Sequence, residues 1–359
     1  MRLPEFEKDG KWVIDEDKAI QVIHKAFELG VNYIDTAYPY CHGNSEYTVG
    51  KALKDRRDKV YLATKMPTWL VKEKGDYRRL LEEQLGKLNT EYIDFYFFHD
   101  LNKDRWQNIA SRFKLLDDAM KAKQEGLIKH IAFSVHDKPE FIRELLGTGM
   151  FEAILCQYNL LDRTNDDVLE YAREKGIGTV VMGPVGGGRL AAPSEVITGP
   201  VKDKYRSTPE IALRFVLANP NVDCALSGMN TIDMVEENAR VASIEDPLSE
   251  DDWKRINGML EETKQLADLY CTGCDYCMPC PQGIKISDVF RLMNYHRVYK
   301  LTQYAREEFQ KLGKDDWHGK PPSECIECGA CEPKCPQEIK IRERLKEVAD
   351  EFQRDNHKG

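Results

Sequence analysis

Eight cysteines fall in two short runs, Cys271-x2-Cys274-x2-Cys277-x2-Cys280-Pro281 and Cys325-x2-Cys328-x2-Cys331-x3-Cys335-Pro336. The second run has the spacing that holds [4Fe–4S] cubanes. Three thiolates take corners of one cubane and the fourth, before proline, reaches another. The first run is the same pattern shortened by one residue. Together they predict two [4Fe–4S] clusters with crossed ligation: Cys271, Cys274, Cys277 and Cys335 on one, and Cys325, Cys328, Cys331 and Cys280 on the other. The shortened spacing leaves an alternative, a single cluster held by the second run alone. Zinc also binds C-x2-C pairs, but in two pairs of two or with histidine, which this pattern does not resemble. Disulfides suit small secreted domains, and thiols two residues apart are badly placed to pair.

A second set of reactive side chains stands where apolar runs end: Asp35 with Tyr38 and Tyr40 beyond it, then Lys65, His99, Ser134 and Gln157. Singly, each has a structural alternative, such as a turn cap for Asp35, a surface position for Lys65 or a backbone bond for His99. Their value lies in the elements that must position them. Runs at 32–37, 59–65, 94–99, 128–134, 153–159, 178–184 and 222–228 are almost continuously apolar, as strands of a parallel sheet buried on both faces are. Amphipathic segments separate them. Ile20, Ile23 and Phe27 recur at helical spacing and stop at Gly30; Leu81, Leu85 and Leu88 follow Asp76; Thr208-Pro209 opens another helix. Repeated β-then-α units predict an α/β fold, a (β/α)8 TIM barrel, with an open doubly wound sheet as the other arrangement. In a barrel, side chains at the C-terminal strand ends share one mouth.

Seven strands are readable where a closed barrel needs eight. Residues 1–15 hold at most a strand tail at Arg2–Leu3 followed by a turn. The expectation is that the first strand is missing and that the true start lies upstream, since an open barrel exposes two edges and part of its core. The capping box Ser249-Glu-Asp-Asp252 opens a helix that ends the first domain, expected at 1–262. A small helical iron–sulfur domain is expected at 263–359. It contains a helical stretch of about six turns over 287–312, a polar loop over 313–324 and a last helix over 341–352. The net charge of −9, with Arg342 and Arg344 interleaved among acids, argues against nucleic acid as a partner. No apolar run is long enough to span a bilayer, and no basic n-region with an apolar h-region opens the chain, so a cytoplasmic protein is expected.

Asp35-Thr36-Ala37-x2-Tyr40, Gly43-Asn44-Ser45-Glu46, Thr64-Lys65 and Phe97-Phe98-His99-Asp100 resemble the aldo-keto reductase family over residues 1 to about 262. The resemblance implies a tetrad of Asp35, Tyr40, Lys65 and His99, the D-T-A-x-x-Y spacing selecting Tyr40 over Tyr38. It also implies that Ser134 and Gln157 bind the nicotinamide carboxamide and that Glu237 and Asn238 meet adenine. Three positions depart from the family. Val135 stands where it has asparagine, Met182 where an aromatic ring lies beneath the nicotinamide, and Gly228 and Met234 where basic residues take a 2′-phosphate. A preference for NADPH is therefore not implied. The junction CTGCDYCMPCPQGI resembles a subgroup with a C-terminal ferredoxin domain, in which an upstream segment supplies the first barrel strand.

That resemblance implies NAD(P)H-linked reduction of an aldehyde or ketone, or the reverse oxidation, in an anaerobic cell. Tyr40 would be the acid; a phenol at its ordinary pKa of about 10 is sluggish near neutrality, so the charge of Lys65 would favour its ionised form and Asp35 would keep Lys65 charged. His99 would orient the carbonyl. Nicotinamide gives two electrons and each cubane passes one, so wiring them together calls for a converter such as a flavin; no residue demands one. The rival reading is an electron-transfer or redox-sensing protein whose barrel binds a nucleotide, a flavin or a redox partner without carbonyl turnover.

Overall fold

The computed structural model describes residues 2–245, 247–268, 271, 276–315, 317–335 and 337–353; Cys274 lies outside them. The chain parts into two compact units, 1–186 with 212–247, and 187–211 with 248–359. Among the described residues no helix is long and apolar enough to cross a membrane.

The first unit opens with a hairpin where the sequence reads as a turn. Strands β1 (Glu5–Lys8) and β2 (Lys11–Ile14) pair antiparallel from Glu5↔Ile14 to Lys8↔Lys11. Asp9 and Gly10 both have positive φ, the two-residue turn that matches the twist of a hairpin. The strands escape a sequence reading because neither face is buried: Phe6 is 46% and Trp12 56% exposed, so no apolar alternation marks them.

Seven parallel strands follow: β3 (Tyr33–Asp35), β4 (Tyr61–Met66), β5 (Ile93–Phe98), β6 (Ile128–Ser134), β7 (Ala153–Gln157), β8 (Gly178–Met182) and β9 (Cys224–Ala225). They pair in sequence order, every neighbour parallel, to form one curled sheet with β3 and β9 at its edges among the described residues. All seven expected strands are present. Arg2 packs its side chain against Gly228 and Leu3 is buried, but neither is in a strand.

Helices connect the strands because parallel neighbours need a crossover. In helix Asp76–Leu88, Asp76 accepts the N–H groups of Lys72 and Glu73 at 2.8 and 3.1 Å while Leu80, Leu81, Leu85 and Leu88 bury one face. Helix Ser45–Ala52 packs against it through Gly50, where a Cβ would lie 2.6 Å from the Leu88 carbonyl oxygen and 2.9 Å from its Cα. Neither backbone can yield without moving a helix. Gly50→Ala is therefore expected to destabilise the protein by about 1–3 kcal/mol or more, read as a lower urea midpoint, whereas Gly86→Ala, whose Cβ would meet nothing within 4 Å, is expected to be tolerated.

One face of the sheet carries Ala63, Phe97, Ala132, Ala153, Leu155 and Val180 in contact, with Tyr33 and Met182 packed against them. Side chains alternate along a strand. Counting two residues on from this layer reaches Asp35 from Tyr33, Lys65 from Ala63, His99 from Phe97, Ser134 from Ala132 and Gln157 from Leu155. The pleat thus places a polar layer directly above an apolar one.

The second unit is helical. Ser249 caps the helix Glu250–Asp268, its Oγ donating to Asp252 Oδ2 at 2.7 Å and accepting the Asp252 N–H at 3.2 Å. Residue 262, where the sequence reading divides the chain, lies inside this helix. The expected single helix over 287–312 is two, Ile286–Arg297 and Thr302–Phe309. The break is local: Lys300 takes φ +56°, and the Leu301 N–H turns back to the Tyr295 carbonyl at 2.8 Å. Helix Ile341–Gln353 returns across both, stacking Phe352 on Phe309 with ring centroids 4.8 Å apart and pairing Glu351 with Arg297 at 2.8 Å.

Candidate active site and cluster site

Lys65 projects from β4 into an almost closed space, its side chain 1% exposed. Its ammonium donates to Asp35 Oδ1 at 2.5 Å and to the Thr36 carbonyl at 2.9 Å. It lies 4.9 Å from the centre of the Tyr40 ring. Burial works against its charge, but Asp35 and then Tyr40 outweigh burial and hold the ammonium's pKa above its ordinary value. A buried polar network backs the strand. Gln84 Nε2 donates to the Lys65 carbonyl at 3.1 Å, Tyr96 donates to Gln84 Oε1 at 2.7 Å, and Thr64 donates to Glu46 Oε1 at 2.6 Å. Burial raises the Glu46 carboxyl above the usual carboxylate range.

Tyr40 and Tyr38 part company. The Tyr38 hydroxyl donates to Glu83 Oε1 at 2.9 Å, and Lys87 sits 3.7 Å over its ring, so it faces helix Asp76–Leu88. Tyr40 opens a tight turn, Tyr40–Gly43, in which Cys41 and His42 both take left-handed φ values of 49° and 56°. Such backbone costs about 1 kcal/mol or more per residue in a side-chain-bearing residue and clusters where geometry serves function.

His99 stands edge-on to Tyr40, ring centroids 6.1 Å apart, and against Trp69 at 5.0 Å. Its backbone is pinned to the β4 end: its N–H donates to the Met66 carbonyl at 3.0 Å, and Thr68 donates to its carbonyl at 2.9 Å. Burial, and then the charges of Lys65 and Arg105, push the imidazole's pKa down to about 3. It is neutral near pH 7, and its Nδ1 is buried with no partner among the described residues.

Around this group, Ser134 Oγ accepts the Asp100 N–H at 2.8 Å and reaches the Phe98 carbonyl only at 3.5 Å. Gln157 lays its amide against Gly183, where a Cβ would meet Nε2 at 2.7 Å and which itself has φ +66°. Glu237 and Asn238 lie on helix Ile232–Ala242, with Asn238 donating to Ser227 Oγ at 3.0 Å. Trp69 and Arg105 were not singled out from the sequence. Arg105 donates to the Asp100 carbonyl at 2.8 Å and lies 5.6 Å over Trp69, so it steadies the turn after His99. A signal existed: Trp69 follows the Lys65 strand end by four residues, on the same mouth.

In the second unit, Cys277, Cys280, Cys325, Cys328 and Cys331 line one cavity, with walls that include Pro281, Ile286 and Leu345. Cys335 is not part of that lining, although it belongs to the same run as Cys325. Five thiols stand around this cavity, with Gln282 and Arg342 as its other polar walls, and four thiolates are the donor set a [4Fe–4S] cubane takes.

Residues 6–261 match the model of the aldo/keto reductase family, and residues 270–340 match that of a 4Fe-4S dicluster domain. Among curated proteins, L-galactose dehydrogenase of Arabidopsis thaliana is 29% identical over 70% of this chain and 87% of its own length. The NADH-specific methylglyoxal reductase of Escherichia coli is 29% identical over 69% of this chain and 89% of its own. Among solved structures, the holo form of aldo-keto reductase AKR11C1 from Bacillus halodurans superposes with a TM-score of 0.58 at 30% identity, covering 69% of this chain and 88% of that one. The strand order and these likenesses agree: the chain belongs to the aldo/keto reductase family and is an oxidoreductase of that type, its reductase domain followed by a 4Fe–4S dicluster domain.

Proposed function

We propose that the protein reduces an aldehyde or ketone with NAD(P)H, or runs the reverse oxidation, at the mouth formed by Tyr40, Lys65, Asp35 and His99. The observation that carries this reading is the buried Lys65 ammonium, bonded to Asp35 at 2.5 Å and 4.9 Å from the Tyr40 ring. The bound nicotinamide supplies a hydride to the carbonyl carbon. Tyr40 then gives its proton to the forming alkoxide, and Lys65 stabilises the phenolate left behind. Asp35 balances Lys65 and fixes its direction. His99, neutral with its pKa near 3, donates a hydrogen bond to the carbonyl oxygen without competing for the proton. Ser134, whose Oγ accepts the Asp100 N–H at 2.8 Å while its own hydrogen has only the long 3.5 Å approach to the Phe98 carbonyl, and Gln157 take the carboxamide; Glu237 and Asn238 take adenine. A dicarbonyl such as methylglyoxal is a suitable first substrate. Steady-state oxidation of NADH and NADPH by the anaerobically purified chain tests the reading, and no carbonyl-dependent turnover with either nucleotide would sink it.

For the clusters, we propose crossed ligation, with Cys280 completing the site of Cys325, Cys328 and Cys331, and Cys335 that of Cys271, Cys274 and Cys277. The presence of Cys280 and the absence of Cys335 in the cavity lining support it, with Cys277, also in that lining, standing at the wall between this site and its own. Reconstituted protein should hold about eight irons and eight sulfides. Cys280→Ser should perturb the same EPR signal as Cys325→Ser, and Cys335→Ser the same signal as Cys271→Ser. The opposite pairing would count against crossing, and about four irons in the wild type would leave a single cluster. A one-electron redox partner is the natural recipient or donor for these centres.

A further inference from the structure

The cavity lined by Cys277, Cys280, Cys325, Cys328 and Cys331 has one charged side chain besides the thiols among its lining residues, Arg342. Arg342 is the second residue of helix Ile341–Gln353, and Leu345, three residues on and hence on the same helix face, also lines the cavity. Glu332 holds it by two bonds: the Arg342 backbone N–H donates to Oε1 at 3.1 Å and its Nη2 to Oε2 at 2.7 Å. Glu332 itself is not in the lining. Arg342 thus belongs to the cavity wall, whereas Glu332 follows the thiol of Cys331 in the chain without lining the cavity.

We infer that Arg342 raises the reduction potential of the cluster in this cavity, and that Glu332, its ion-pair partner, opposes it. The inference rests on reading the cavity as a cluster site. A cubane with four thiolates is an anion, and taking up one electron makes it more negative by one charge. A fixed cation at its wall stabilises the reduced form more than the oxidised form, so it raises the potential; net charge near a cluster is one of the levers that set potentials. Water screens part of the effect, because the Arg342 side chain is 44% exposed. Glu332 partly offsets it, so the two residues act with opposite sign.

The test is a redox titration of the full chain, reconstituted anaerobically with iron and sulfide and read by EPR. Arg342→Gln should move one of the two cluster couples to a more negative potential. At a fixed potential its reduced-to-oxidised ratio should fall roughly tenfold, a shift of about 59 mV for one electron. Glu332→Gln should move the same couple in the positive direction, and Arg342→Lys should restore most of the wild-type value. The other couple should stay in place. A purely structural role would move both variants the same way or neither, and either result overturns the inference. If Arg342→Gln assembles no cluster, the direction of the Glu332→Gln shift decides. Wild-type protein with no cluster signal would instead overturn the reading of the cavity, and the inference with it.

Discussion

Replacing Tyr40 with phenylalanine is expected to lower kcat for carbonyl reduction by about 10²- to 10⁴-fold, the usual worth of a positioned general acid. Nucleotide affinity should stay within a fewfold of wild type, since the phenol oxygen is removed while the ring keeps its place beside Lys65 and His99, at 4.9 and 6.1 Å. Tyr38→Phe is the control. Its hydroxyl is committed to Glu83 at 2.9 Å, so its loss should cost a little stability and leave kcat near wild type. Stopped-flow nucleotide binding with steady-state turnover separates the two effects. Should Tyr38 prove essential and Tyr40 dispensable, the assignment of the acid is wrong.

Lys65→Met should remove activity as well, and it should also destabilise the fold, by about 3–5 kcal/mol at pH 7, because Asp35 would be left as an unpaired charge in a closed space. Adding Asp35→Asn should recover most of the stability at pH 7 and none of the turnover. A double variant no more stable than the single would show that Asp35 is not the charge Lys65 balances. Urea midpoints at pH 7, with turnover measured in parallel, supply the readout.

These two experiments rest on features of different origin. The strands were legible because a parallel sheet buried on both faces needs continuous apolar runs, and β3 to β9 all fall where those runs stand. Residue identity at the strand ends was legible too, since Asp35, Lys65, His99, Ser134 and Gln157 are polar groups closing apolar segments. The hairpin of β1 and β2 was not, because its exposed Phe6 and Trp12 carry no periodic burial, although Asp9-Gly10 was a turn signal that could have been used. The helix break at 298–301 was hidden for a related reason: a single left-handed residue, Lys300, ends a helix that the apolar pattern continues through.

What the sequence by itself determined is the chemistry on offer: cysteines at cubane spacing, a carboxylate, a phenol, an ammonium and an imidazole at strand ends, and a sheet to carry the latter set. Only the tertiary structure decided which of these meet. The pleat and the parallel register bring residues 35, 65 and 99, far apart in the chain, onto one layer. Burial then gives Lys65 and Asp35 their mutual dependence, and His99 its neutrality. Spacing alone could not say that Tyr38 turns to Glu83, or that Arg342 rather than Glu332 lines the cavity of the thiols. Those outcomes depend on side-chain direction and on the local dielectric, and both are properties of the packed chain.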